Sequence, residues 1–185
     1  MSGRAVVVRD AVASDMPEVT RIYAHHVLNG LASFEERAPS PEEMLARYQA
    51  IASTGYPYLV GEIAGRIVGY TYASAYRPRP AYRFTVENSV YVDNSCRSNG
   101  IGGTLLKALI ERCEGGAWRQ MLAVIGDSAN AASIALHSRH GFRPAGSLMS
   151  VGFKHGRWVD SVIMQRPLAA GDTTLPSPDT PPGSM

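Results

Sequence analysis

The order of hydrophobic periods along the chain predicts an α/β (α+β) protein in which a mixed sheet carries helices on both faces. Three observations carry this expectation. A strand-like run followed by two amphipathic stretches opens the chain; a meander of β-rich runs follows; and the second half reads as a βαβ crossover about a glycine-rich turn, then a short helix and a closing hairpin. At 185 residues, 45% hydrophobic and 18% charged, the chain is long enough for one domain with its own core and too apolar to stay disordered.

Taken in order, residues 5–8 form the first apolar run. Asp15 then precedes Met16 and Pro17, with Glu18 in the third helical position, which predicts a capping box for a helix carrying Val19, Ile22, Tyr23 and Val27. Ser40, Pro41 and Glu43 repeat the signal for a second helix through Met44, Leu45, Tyr48 and Ile51, leaving residues 28–39 as a loop. Runs 58–63 and 67–75 flank Ala64, Gly65 and Arg66 as a hairpin. Arg77, Pro78, Arg79 and Pro80 interrupt the sheet before a strand over 84–92.

Beyond the glycine turn, Leu105, Leu106, Leu109, Ile110 and Cys113 recur at helical spacing over 104–114, and 121–125 reads as a strand buried on both faces. Asp127 to Asn130 lead into a helix holding Ile134 and Leu136, stopped by Gly141. Runs 148–153 and 158–165 flank Lys154, His155, Gly156 and Arg157 as a second hairpin. Residues 1–168 are thus expected to form a single domain. Proline, glycine, serine and threonine dominate 169–185, which predicts a flexible tail.

Composition narrows the function. A net charge of +2 with no Lys/Arg block argues against a nucleic-acid partner. The absence of a secretory signal pattern and of a run of about 20 apolar residues predicts a cytoplasmic protein with no membrane partner. Cys96 and Cys113 show no metal spacing and read as structural thiols, and His25, His26 and His140 likewise suggest no metal site.

Arg97, Ser98, Asn99, Gly100, Ile101, Gly102 and Gly103 stand between a strand and a helix. Glycines there let successive backbone N–H groups and the positive helix end converge on a diphosphate, so a phosphate-bearing cofactor is the expected ligand. A dinucleotide fingerprint fails because position 105 is Leu, and a Walker loop fails because Gly103 is followed by Thr104 and Leu105. A glycine connection with a purely structural purpose is the alternative.

The run fits Arg/Gln-x-x-Gly-x-Gly/Ala at Arg97, Gly100 and Gly102, the pyrophosphate signature of the GNAT superfamily of N-acyltransferases. With the block 85–92, Ala123-Val124-Ile125, the block 130–137, Gly141-Phe142 and the block 154–158, the chain over 5–167 resembles the phosphinothricin and methionine sulfone acetyltransferase branch of that superfamily. The resemblance implies a GNAT fold with a mixed, mostly antiparallel central sheet, acetyl-CoA as cosubstrate, no metal, and a homodimer. It implies acetylation of the α-amino group of phosphinothricin, methionine sulfoximine or methionine sulfone by direct attack in a ternary complex. The alternatives are the same chemistry on a protein N-terminus, a lysine or a polyamine, or a non-catalytic acyl-CoA sensor.

The resemblance also assigns roles. Glu87 is the general base, with a solvent-exposed or arginine-paired carboxylate as the other reading. A modest base suffices for an α-amino group, whose reference pKa of about 7.7–8.0 makes deprotonation at neutral pH cost about 1 kcal/mol, against about 4–5 kcal/mol for lysine. Val90, Tyr91 and Val92 fall on a strand that in the superfamily carries a bulge and offers main-chain N–H groups to the thioester and pantetheine. Arg97 through Thr104 would hold the diphosphate. Asn130 and Ser133 would meet the pantetheine arm, Asn130 being also an ordinary helix cap. Many GNATs have a tyrosine general acid where this chain has His137; the imidazole would protonate the thiolate, bond the substrate or Glu87, or simply sit satisfied in the core. Phe34, Arg77, Arg79, Tyr82 and Arg83 are the candidate acceptor groups, the arginines for an anionic substituent. Lys154 and His155, in the late hairpin with Trp158, would lie beside the pocket and the dimer surface.

Overall fold

The structure, a computed structural model, describes residues 5–96 and 99–176. In chain order the elements are β1 (Val7–Asp10), α1 (Met16–Asn29), α2 (Pro41–Ala52), β2 (Tyr58–Ile63), β3 (Arg66–Ala75), β4 (Thr85–Val92), α3 (Ile101–Glu114), β5 (Gln120–Gly126), α4 (Ala131–Arg139), β6 (Arg143–Lys154) and β7 (Arg157–Pro167), with short 3-10 turns at Ala13–Asp15, Pro80–Tyr82 and Asn94–Cys96. The strands form one sheet of seven in the order β1-β2-β3-β4-β5-β7-β6. Every pairing is antiparallel except β4 with β5, the pair joined by the α3 crossover. This is the mixed, mostly antiparallel sheet expected.

Alternation along the strands separates two cores. Tyr58, Val60 and Tyr70 pack with Met16, Val19, Ile22 and Val27 of α1 and Met44 of α2. Leu59, Ala73, Val86, Met121, Ala123 and Ile125 pack on the other face with Leu106, Leu109 and Cys113 of α3, and Ile134 and Leu136 of α4 lie against them. The helix α3 approaches closely because β2 and β3 are bare beneath it: a Cβ on Gly69 would stand 2.8 Å from both Leu105 Cδ1 and the Tyr91 carbonyl. Cys113 is buried in this core, which pushes its thiol pKa up to about 12, as befits an inert structural cysteine.

Local signals explain the element ends, with corrections. Ser40 caps α2 as expected, its hydroxyl accepting from Glu43 N at 3.2 Å while the Glu43 carboxylate accepts from Ser40 N at 2.7 Å. Asp15 does not cap α1 by a side-chain bond. Its carboxylate takes Arg9 Nη1 and Nη2 at 2.7 and 2.9 Å and Val12 N at 2.9 Å, so it closes the preceding 3-10 turn instead. A bidentate arginine displaces the helix amide as partner. Both hairpins turn through two residues of positive φ, Ala64 with Gly65 and His155 with Gly156, the conformation of the tightest β-hairpin loops.

The feature that makes the site lies between β4 and β5. The β3–β4 ladder runs unbroken from Gly69↔Val92 to Ala75↔Val86, so the expected bulge does not appear as a register shift there. Pairing with β5 instead stops at Asn88↔Ala123, although the two strands continue to Val92 and Gly126. Beyond that point the strands part. Val124, on the open stretch, is 40% exposed, which corrects the reading of β5 as buried on both faces throughout.

After β7, Leu168 is fully buried and donates to the Arg119 carbonyl at 2.9 Å. Residues 170–175 turn back along the domain, where Arg119 Nη2 donates to Thr174 Oγ1 at 2.8 Å and to the Leu175 carbonyl at 3.2 Å.

Candidate active site

The parting strands enclose a narrow cleft of about 60 Å³, lined on one side by Asn88, Val90 and Tyr91 and on the other by Ala123, Val124 and Gly126, with Asn130, Ser133 and His137 of the α4 segment at its edge. Main-chain groups of β4 past Asn88 have no ladder partner on this side. They are the donors and acceptors that a ligand threaded between the strands would meet. Larger open hollows lie at Asp10, Tyr48 and Trp118 and at Arg9, Arg21 and Arg66, apart from the cleft residues.

At the end of β4 the chain enters α3 through the glycine turn. Gly100 is the N-cap, with φ +75°, a left-handed conformation that favours glycine. Its side of the turn is open, since an added Cβ would meet nothing within 4 Å. The helix begins at Ile101 rather than Thr104, so Gly102 and Gly103 form its first turn. Thr104 N makes the first bond back to the Gly100 carbonyl at 3.1 Å, and among the described residues no side chain caps the amides before it. Those amides and the helix dipole suit a diphosphate, while the Thr104 amide is already used. Ile101 is buried against Val68 and Leu105 and anchors the turn. Asn99 is exposed on it, and Arg97 and Ser98 lie outside the described residues.

Strand parity sends neighbouring side chains to opposite faces. Glu87 shares the α1/α2 face with Tyr91, whereas Asn88 shares the α3/α4 face with Val86. Burial pushes the Glu87 carboxyl above its ordinary value, and the nearby Arg77 cation pulls the other way without cancelling the effect. On the far face His137 is buried; its Nδ1 lies 2.8 Å from the Ser133 carbonyl and 3.4 Å from Ser133 Oγ, and its Nε2 lies 3.1 Å from Asn88 Oδ1. Burial lowers the His137 pKa, opposed by the Ser133 bond. Among the readings open for His137, its bond is to Asn88, not Glu87. Asn130 serves as a cap, accepting from Ser133 N at 3.2 Å.

The interhelix loop covers the α1/α2 side. The Phe34 ring lies on the glycines of two strands: a Cβ on Gly152 would be 2.4 Å from Phe34 Cε2, and one on Gly126 would be 3.1 Å from Phe34 Cε1 and 2.1 Å from the Leu31 carbonyl. Ser33 Oγ and Tyr23 OH share a bond at 2.8 Å, Tyr23 OH donates to Glu35 at 2.9 Å, and Arg47 holds Glu35 at 2.6 Å. Tyr23 in turn packs edge-on against Tyr91.

The remaining candidates divide. Arg77 lies over the Tyr76 ring and acts electrostatically on Glu87. Arg83 lies over Phe84 and donates to the Pro80 carbonyl, Tyr82 packs edge-on to Tyr76, and Arg79 is exposed. Lys154 is buried and donates to the Ser33 carbonyl at 2.7 Å; His155 is exposed in the hairpin turn. Asn88, Gly126 and Gly152 are participants that sequence reading did not single out. The signals were a polar residue on the core-facing parity of β4 and glycines inside β runs.

A glycine turn opening a helix beside two parting parallel strands defines an acetyltransferase of the GNAT class, and residues 8–163 match the family described as acetyltransferase (GNAT) domain. The chain belongs to that family. It is 58% identical over 170 residues to a phosphinothricin N-acetyltransferase of Alcaligenes faecalis, covering 92% of this chain and 85% of the relative. It is 42% identical over 159 residues to an L-methionine sulfoximine/L-methionine sulfone acetyltransferase of Pseudomonas paraeruginosa, covering 85% and 92%. The crystal structure of a phosphinothricin acetyltransferase from Sinorhizobium meliloti in complex with AcCoA superposes with a TM-score of 0.93 at 47% identity, covering 97% of each chain. The protein is thus an N-acetyltransferase that uses acetyl-CoA and acetylates a small amine. Among the described residues no cluster of three or more His, Cys, Asp or Glu could hold a metal ion, and no helix is long and apolar enough to cross a membrane.

Proposed function

We propose that this enzyme acetylates the α-amino group of a small, anionic amino-acid-like acceptor of the phosphinothricin, methionine sulfoximine or methionine sulfone type, by direct attack in a ternary complex. The observation that carries the reading is the placing of Glu87 and His137 on opposite faces of the sheet where β4 and β5 part. Acetyl-CoA threads the opening with its diphosphate on the Gly100–Gly103 amides, and the acceptor lies on the α1/α2 face. Glu87, made more basic by burial, takes the proton from the acceptor ammonium. The amine attacks the thioester carbon, the C–S bond breaks, the new amide nitrogen gives up its second proton to solvent, and the leaving thiolate is protonated from the His137 side. Arg77, already near Glu87, faces the acceptor's anionic substituent.

The active form is a homodimer through β6. Among the described residues that strand ends the sheet with an unpaired edge, and it displays Leu148, Met149, Val151 and Phe153, beside Trp158 of β7, all at least half exposed. So much apolar surface on one sheet edge suits a two-fold contact with a second copy, and sedimentation at micromolar concentration tests it.

A thiol-release assay with purified protein, acetyl-CoA and a panel of amines tests the acceptor. Turnover with phosphinothricin or methionine sulfone above that with N-terminal peptides, lysine and polyamines is the expected outcome. Preference for a cationic amine overturns the acceptor class, and binding of acetyl-CoA with no release on any amine assigns a sensor.

A further inference from the structure

Bonds to β3 and to the residue after it fix which way the main chain of β4 faces. Thr71 Oγ1 donates to the Ser89 carbonyl at 2.8 Å, Asp93 N donates to the Val68 carbonyl at 2.8 Å, and the Thr85 carbonyl accepts from Tyr76 N at 3.4 Å, so the odd-numbered residues turn their peptide groups to β3. Alternation turns those of Val90 and Val92 the other way, into the opening where the ladder with β5 has ended at Asn88. The amide and carbonyl of both valines stand there, and one of these groups is already taken. His26, in the last turn of α1, has its Nε2 2.9 Å from the Val92 carbonyl; a carbonyl only accepts, so that nitrogen carries the hydrogen of the bond.

We propose that His26 is a positioning residue for the donor: by occupying the Val92 carbonyl it leaves the Val90 amide, the Val90 carbonyl and the Val92 amide to bond the pantetheine arm, and so fixes how far along β4 the arm lies. The inference rests on the reading that acetyl-CoA threads the parted strands. Pantetheine is a chain with two amides, each offering a donor and an acceptor, so it can pair with a strand edge in more than one register. Like positions on one side of a strand repeat every second residue, about 7 Å. An arm whose own N–H reached the Val92 carbonyl would draw the thioester along β4 by a distance of that order, away from Glu87.

The histidine is firmly placed. Its ring lies 5.3 Å from that of Tyr91 and 5.8 Å from that of His25 between centroids, and its own carbonyl accepts from Gly30 N at 3.1 Å where α1 ends. His26 thus does for one carbonyl of β4 what β5 does for the residues up to Asn88, while the neighbouring groups stay open to a ligand.

Steady-state kinetics of the full-length protein with two donors test this: acetyl-CoA, whose diphosphate has the glycine turn to hold it, and acetyl-pantetheine, which lacks the diphosphate. His26→Phe keeps a ring beside Tyr91 and removes the donor, whereas His26→Gln keeps an N–H donor. In the Phe variant kcat/KM should fall about tenfold with acetyl-CoA and about 100-fold with acetyl-pantetheine, whose register β4 alone sets. The Gln variant should recover most of both losses. Equal losses with the two donors, no loss with either, or a Gln variant as impaired as Phe overturns the proposal. A crystal structure with coenzyme A keeps the two readings apart. The expected complex has the arm on Val90 and the Val92 amide, with His26 still on the Val92 carbonyl. An arm between the strands that has displaced His26 from that carbonyl overturns this proposal alone, and an arm bound elsewhere overturns the threading as well. Should His26→Phe not fold, or acetyl-pantetheine turn over too slowly to measure, the complex decides.

Discussion

Lys154 Nζ donates to the Ser33 carbonyl at 2.7 Å from a site where the lysine is only 2% exposed, tying the end of β6 to the loop between α1 and α2. Burial lowers the lysine pKa, and the nearby Glu36 and Glu35 carboxylates counter that. This cation is committed to the backbone of the loop that carries Phe34. Lys154→Met keeps the aliphatic stem but leaves a buried carbonyl without its donor, an expected loss of about 1–3 kcal/mol in denaturant unfolding. The acceptor KM should rise while acetyl-CoA affinity by calorimetry holds. Loss of acceptor turnover at unchanged stability would instead assign the ammonium to the acceptor.

Glu87→Gln keeps the shape of the side chain and removes its basicity. We expect kcat/KM to fall roughly 10²–10⁴-fold with acetyl-CoA binding unaffected. Because burial raises this carboxyl, the wild-type rate should climb with pH through a limb placed above the ordinary carboxylate pKa of 4.5, and the Gln variant should lack that limb. A limb that persists in Gln belongs to another group.

Two glycines under Phe34 separate a backbone clash from a side-chain one. Gly126→Ala puts a methyl 2.1 Å from the Leu31 carbonyl, which cannot move without the loop, whereas Gly152→Ala meets the end of a ring that can turn. Steady-state kinetics should show acceptor kcat/KM reduced on the order of 100-fold in the first and clearly less in the second. Adding Phe34→Ala should relieve Gly152→Ala but not Gly126→Ala, a coupling that a double-mutant cycle reads directly.

Asp93, which follows β4, is 4% exposed and accepts from Arg21 at 2.6 Å, Arg66 at 2.8 Å and both Ser95 N and Oγ. Burial disfavours its charge, but the bonds from Arg21 and Ser95 prevail and hold the carboxyl well below its ordinary value. A carboxylate depressed in the fold stabilises fully above its unfolded pKa near 3.8 and loses that contribution as pH falls further toward the folded value. Thermal unfolding should therefore show Asp93→Asn less stable at pH 7 by about 1–3 kcal/mol, with the gap to wild type closing below about pH 4. A gap that stays constant down to pH 2 removes the carboxylate from this account.

Much of this was legible in the residues. The Gly100–Gly103 run between Val92 and Leu105 announces strand, glycine turn and helix because backbone freedom and apolar period change together there. Ser40 with Glu43, and Gly141 after α4, act locally and were readable for the same reason. What was not legible depends on partners far away in sequence. Asp15 carries a cap signature, but Arg9 takes its oxygens. Lys154 has the composition of a surface cation and is buried by a loop 121 positions away. Asn88 is one polar residue in a strand until Leu122 and His137 are seen on either side of its amide. The parting of β4 from β5 is a tertiary outcome: Val90 to Val92 and Val124 to Gly126 are as strand-like as the residues that do pair.

On the reading proposed above, that parting makes the donor's contacts a property of peptide groups, which every side chain leaves in place, while the acceptor meets side chains, those of Glu87, Arg77 and the 31–36 loop. The two substrates are thereby read by separate alphabets. Grafting a different residue 31–36 segment onto this scaffold should redirect the enzyme to new amines while its hold on coenzyme A stays as it was.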